Sequence, residues 1–203
     1  LRAALAHELG HFAGGDTRLG PIVHRTQLGL ARAAAGLQGS GLGWLFRLYG
    51  ALFVAVSQAV SREQERSADA VAVRVAGAPA LRRCLVETQR GQALFWVFLE
   101  RQLDPLIGYG VAPDDLYRGF VGFVRAPANA PLVAEAERAV LAQATQPWDA
   151  HPALAERVAA LGEVPDAPEA GPRALSLLAD ADAAAREMTA RWARALPTPV
   201  ETL

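Results

Sequence analysis

The sequence contains no lysine: all twenty of its basic residues are arginine. With the heavy alanine content, this marks a compositional bias rather than a chemical requirement. There is one cysteine, Cys84, which excludes an intrachain disulfide. That fits a reducing compartment, and Cys84 reads as a small buried hydrophobe. Neither sign of charge is in excess. Twenty-one acidic residues against twenty arginines give a formal net charge of -1, so the electrostatic footprint of a nucleic-acid binder is missing. No secretory leader pattern opens the chain. Residue 1 is leucine and the strongest motif follows almost at once, which reads as a piece, or a processed product, of something longer. What is present is a chain of 203 residues, 52% hydrophobic. A chain of that size can bury about 70% of its unfolded surface without staples.

Apolar residues recur at helical spacing, there is no internal repeat and no convincing run of strands, so the expected class is mainly α. Residues 1–13 read as a helix stopped by Gly14-Gly15, with Leu5, Leu9 and Phe12 on one face and His7 and His11 on another. A second helical pattern covers 20–38, and Gln38 to Gly41 reads as a turn. Residues 42–60 are nearly all apolar, interrupted by Arg47, and the same helix runs on to about Ala76. That run approaches the ~20 residues needed to span a bilayer. Arg47 would cost about 2.5–3.5 kcal/mol near the centre of such a span, so a buried core helix and a membrane helix stay equally open. Further helices read at 80–104, after Pro113-Asp114-Asp115, at 132–144, at 152–162 and at 173–195. Pro105 should end the first of these. The last should carry Leu175, Leu178, Met188 and Trp192 on one stripe. Residues 126–131 and 163–172 read as connections, and the tail from Pro197 as frayed.

The chemistry concentrates near the start. His7-Glu8-Leu9-Gly10-His11 is an H-E-x-x-H pattern. Histidines at i and i+4 project from one helical face and can bind one metal. Glu8 falls about 60° from His11 around the helix, beside the metal rather than on it, where it can take a proton from water. Gly10 inside the helix costs about 1 kcal/mol relative to alanine, so close approach of another helix is expected there. Catalytic zinc wants three protein ligands and an open position. The metzincin spacing would put a third histidine at position 17, which is Thr17. A distant glutamate is the other common solution. Glu65 is the best candidate, because Asp69 lies four residues on and shares its face. A carboxylate there can receive the free N–H of a ligating histidine and fix its tautomer. Glu63 is the rival ligand and lacks such a partner.

Ala6 to His11, together with Ser61-Arg62-x-x-Glu65-x-x-Ala68-Asp69, resembles the HtpX-like and CAAX prenyl endopeptidase family of zinc metallopeptidases. His151-Pro152-Ala153-Leu154-Ala155-Glu156-Arg157 is similar to that family's late H-P-x-L-x-x-R segment, and Asp16 matches a common family position. The resemblance covers 1–76 and 148–162. It implies a gluzincin-type endopeptidase with a helical zincin core, using one Zn2+ per chain and acting on peptides or proteins. His7, His11 and Glu65 would be ligands, Glu8 the general base and Asp69 the histidine's partner. His151 would be a transition-state stabiliser and Arg157 its supporting cation. It also implies attachment to a membrane, through 42–60 or an upstream segment, with the catalytic part facing the cytoplasm. Two departures stand out. Members with membrane spans often have two between the motifs, whereas 20–38 is too polar here. The substrate-binding edge strand that normally precedes the first motif is missing.

The expected organisation is a catalytic domain over 1–162, its zinc site drawn from 1–15, 57–76 and 148–158, followed by a linker and C-terminal helix over 163–203. Alternatives remain for single residues. His151 could simply start a helix before Pro152, Arg157 could be an ordinary surface arginine, and Asp16 could only help close the turn after Gly15. His24 reads as structural. At the level of the whole chain, the alternatives are an inactive helical membrane scaffold and a zinc hydrolase of non-peptide substrates.

Overall fold

The structure is a computed structural model that describes residues 1–37, 41–164, 174–197 and 199–202, without the side chains of 16–19 and 202. The side chain of Asp16, most of the turn expected at 38–41 and most of the 163–172 connection lie outside the described residues. The fold is mainly α, as the periodicity implies. The chain groups into two compact units, 1–85 with 143–167 and 86–142 with 168–203. This grouping divides the chain differently from a boundary at 162, because the segment 143–167 joins the N-terminal helices while 86–142 joins the C-terminal helix.

The first unit is built on α1 (Arg2–Gly14), α2 (Asp16–Gly36) and α3 (Gly43–Ala76). Gly15 ends α1 in the left-handed region, φ 77°, where only glycine sits without strain. α2 therefore starts four residues earlier than expected, and Pro21 falls inside it. α1 and α2 both pack against α3. The buried residues of α1 are Ala3, Ala6 and Gly10, and those of α3's second half are Glu65, Ala68, Asp69 and Ala72. Small residues let these two backbones come close. A Cβ on Gly10 would lie 2.9 Å from the Ala68 Cα and 3.2 Å from its Cβ. That is the close approach expected from a glycine in mid-helix. The stripe Leu5, Leu9 and Phe12 is not the buried face, since each is more than half exposed. α8 (Leu154–Ala160) completes the unit, with Leu154 buried. Cys84 is half-buried rather than fully inside.

The second unit begins within α4 (Ala78–Phe98). Pro105 does not end that helix. One π turn, Leu99–Leu103, intervenes and α5 (Asp104–Gly108) carries on, with Pro105 in its first turn where no backbone N–H is needed. α6 (Leu116–Arg125) starts at Asp115, whose carboxylate accepts from the Arg118 N–H at 2.8 Å. α7 (Ala130–Ala142) follows a short 3-10 turn. The core is Phe98, Leu103, Leu116 and Phe123, with Trp192 packed against it. Leu175 and Leu178 do not join Trp192 on a helical stripe. Asp180 caps α9 (Ala181–Arg194) by accepting from the Ala183 N–H, so both leucines precede the helix and are exposed. The tail also returns to the fold: β1 (Val111–Ala112) pairs in parallel with β2 (Glu201–Thr202).

Candidate metal centre

Three sequence-distant elements of the first unit meet around one point. α1 supplies His7 and His11 one turn apart, α3 supplies Glu65, and the segment leading into α8 supplies His151. The Nε2 atoms of His7 and His11 face each other at 3.2 Å. Glu65 Oε1 lies 3.3 Å from His11 Nε2, and Oε2 lies 3.5 Å from His7 Nε2. Tetrahedral zinc with bonds of about 2.0–2.1 Å sets its ligand atoms about 3.3 Å apart. Glu65 Oε2 is buried, and its polar neighbours, Arg157 Nη1 at 3.3 Å and His7 Nε2 at 3.5 Å, make no well-formed hydrogen bond to it, which leaves a lone pair for a metal. The donor set and its spacing therefore fit zinc. Among the described residues, His7, His11 and Glu65 form a cluster with metal-binding geometry.

The surroundings orient these groups. His7 Nδ1 lies 3.0 Å from Asp69 Oδ1. Arg157 lays its guanidinium fork on Asp69, with Nε 2.8 Å from Oδ2 and Nη2 2.6 Å from Oδ1. Its Nη1 is 3.3 Å from Glu65 Oε2. Arg157 thus supports the carboxylates directly. His151 Nδ1 stands 2.7 Å from Glu65 Oε1 although its side chain is 68% exposed. Glu8 lies on the exposed side of α1. Glu63 is exposed and paired with Arg66 at 2.8 Å, away from the cluster. His24 is exposed on α2 and lies outside the cluster.

Charge follows the geometry. The bond to Asp69, and then that to Glu65, pushes His7 up to about 9 against the opposing effect of burial. Burial would raise Glu65, but hydrogen bonds from His151 and His7 overcome it and hold the carboxyl well below its usual range. Asp69 behaves likewise: burial opposes ionisation, and His7 and Arg157 prevail. His151 is raised by its bond to Glu65.

The family model for peptidase family M48 matches residues 1–164. The chain belongs to peptidase family M48. No curated protein and no solved structure matches it. M48 membership makes this chain a peptidase of a metallopeptidase family, and the matched residues include every member of the cluster. Arg62 belongs to the motif around Glu65, but the motif alone does not name its partner. The structure shows its Nη1 donating to the Asp149 carbonyl at 3.0 Å and approaching the Pro147 carbonyl at 3.4 Å. The spacing of Arg62 three residues before Glu65 was the available signal.

Proposed function

We propose that the chain is a zinc-dependent endopeptidase with His7, His11 and Glu65 as metal ligands. The observation that carries this is the convergence of two Nε2 atoms and one carboxylate at 3.2–3.5 Å, on the element order H-E-x-x-H then glutamate. When bound, zinc would act as a Lewis acid on the scissile carbonyl and make water at the site more acidic. Glu8 would take a proton from water as general base and deliver it to the leaving amine. Asp69, 3.0 Å from His7 Nδ1, is placed to take that N–H and leave Nε2 for ligation. Arg157 keeps Asp69 and Glu65 ionised and in place. His151 donates a hydrogen bond to the oxyanion of the substrate; loss of such a donor costs about 10²–10³ in rate.

Metal content tests the ligand set. Wild type and Glu63→Ala should carry near one zinc per chain, and Glu65→Ala should lose it. Glu8→Gln should keep zinc and lose cleavage of casein. Retention of zinc by Glu65→Ala would sink the assignment. Cleavage of small esters and amides, with casein untouched, would favour a hydrolase of non-peptide substrates.

Association with a membrane belongs to the same proposal. α3 is long and apolar enough to cross a bilayer, and only 6% of its most apolar 18-residue window is buried in the fold. Trp44, Leu48, Leu52 and Val56 are all about half exposed or more. A core helix would hide such residues. An orientation with the catalytic part facing the cytoplasm is the one the family suggests. Flotation of the protein with liposomes, lost on Leu48→Glu with Leu52→Glu, is the expected result. Equal flotation of both proteins would refute anchoring by α3.

A further inference from the structure

His151 poses a problem of positioning. Its side chain is 68% exposed and meets Glu65 Oε1 through Nδ1 at 2.7 Å, and it sits in a non-helical stretch before α8, just ahead of the buried Pro152. Holding an exposed side chain in one place costs entropy, and a backbone fixed beforehand lowers that cost. The loop's own bonds close it into a turn. Gln146 N–H donates to Asp149 Oδ2 at 2.7 Å, Asp149 N–H to the Gln146 carbonyl at 3.0 Å, and Ala153 N–H to Thr145 Oγ1 at 2.6 Å. None of these ties the turn to α3.

Arg62 does. Arg62, Glu65 and Asp69 follow one another at i, i+3 and i+7, so they share one face of α3. Along that face three contacts run in chain order. Arg62 donates to the carbonyls of Asp149 and Pro147, Glu65 takes His151, and Asp69 takes Arg157. The guanidinium suits this role because one planar group can donate to two fixed carbonyl oxygens. We propose that Arg62 is a positioning residue that tethers the 146–151 turn to α3 and so presents His151 to the substrate. This rests on the reading of His151 as oxyanion donor.

The test uses wild type, Arg62→Ala, Arg62→Lys, His151→Ala and the double variant Arg62→Ala/His151→Ala. Casein cleavage, zinc per chain and the ring signals of the four histidines by NMR are measured on each. Arg62→Ala should lower kcat by about 10–100-fold, the scale of a misplaced catalytic group, with KM and zinc content unchanged. Adding it to His151→Ala should cost nothing more, and Arg62→Lys should recover part of the loss. The His151 signal, identified by its absence from His151→Ala, should move toward that of an unrestrained histidine while those of His7 and His11 stay. Additive losses of kcat, or an unmoved His151 signal in Arg62→Ala, would overturn the proposal. Should His151→Ala keep full kcat, the oxyanion reading fails by itself. The NMR arm then decides whether Arg62 holds the turn.

Discussion

Gly10 offers the sharpest check on how the two metal-bearing helices meet. Alanine in mid-helix is favoured over glycine by about 1 kcal/mol. Gly10→Ala should therefore stabilise α1 if only the helix mattered. The new Cβ would instead lie 2.9 Å from the Ala68 Cα, where ordinary contact begins at 3.4 Å. That neighbour is backbone and cannot rotate away, so α1 and α3 must part by about half an ångström. Overpacking of this kind costs about 1–3 kcal/mol, which cancels or exceeds the gain in propensity. The net expectation is a loss of about 0–2 kcal/mol. Metal binding should suffer more. Ligand distances must hold to within about 0.2 Å, and His7 and His11 ride on α1 while Glu65 rides on α3. Gly29→Ala is the control, since nothing lies within 4 Å of its Cβ, and it should raise stability by up to about 1 kcal/mol. Thermal unfolding and zinc titration against a chelator read both effects. A Gly10→Ala protein that melts higher than wild type and binds zinc with wild-type affinity would refute the reasoning.

Arg157→Ala removes the guanidinium from Asp69 and leaves His7 as its remaining cationic partner, so the loss should fall below the ~3–5 kcal/mol of a buried charge left fully unpaired; urea unfolding of the metal-free protein should show it, with Asp69→Asn in the Arg157→Ala background recovering a part. Metal uptake should release close to one proton from His7 at pH 7, because His7 is held at about 9 in the metal-free chain and must be neutral to bind. Apparent zinc affinity should accordingly climb between pH 7 and 9, and calorimetry in buffers of different ionisation enthalpy counts the proton. Without metal, the raised His7 stabilises fully below its ordinary value of 6.5 and that contribution is lost as pH rises through about 9. The depressed Glu65 and Asp69 act oppositely, their contribution disappearing as pH falls through their lowered values, so the metal-free chain should be most stable near pH 5–6.5. Asp115→Ala removes the cap of α6 and should cost about 1 kcal/mol.

Local chemistry was legible where one element decided it. The i, i+4 histidines, the helix stop at Gly15 and the continuity of α3 from the apolar run to Ala76 all follow from spacing within a single helix. The demand for a close neighbour at Gly10 was legible too, because glycine in mid-helix has no other local reason to be there. Boundaries failed where tertiary or capping chemistry overrode a local signal. Pro105 looked like a stop, yet a π turn before it absorbs the change and lets the proline occupy a first turn. The last helix looked continuous from 173, yet Asp180 starts it later by capping it. Pairing of residues 201–202 with 111–112 could not be read, since two-residue strands carry no periodicity. The orientation of Leu5, Leu9 and Phe12 was equally hidden: periodicity finds an apolar face but does not say what covers it.

The partners of Arg157 and Arg62 belong to a different class of problem. Both arginines sit in recognisable motifs, but a motif names residues and not contacts. The contacts follow only once 143–160 is laid along α3, so that Asp149, His151 and Arg157 come opposite Arg62, Glu65 and Asp69. The helical face repeats at 62, 65 and 69, and the segment opposite changes from turn to helix across the same span. A change of register in α8 would shift Arg157 off Asp69 and leave buried carboxylates facing one another, at a cost no exposed contact could offset. The charges therefore specify the register, and the register delivers His151 to Glu65. Glu156→Ala, an exposed change that leaves the register of α8 alone, should be tolerated. An inserted residue between Pro152 and Arg157 should not be, since it rotates the arginine about 100° around the helix. The insertion variant should lose zinc binding while α3 itself stays intact by hydrogen exchange; unchanged zinc binding would refute a register set by these charges.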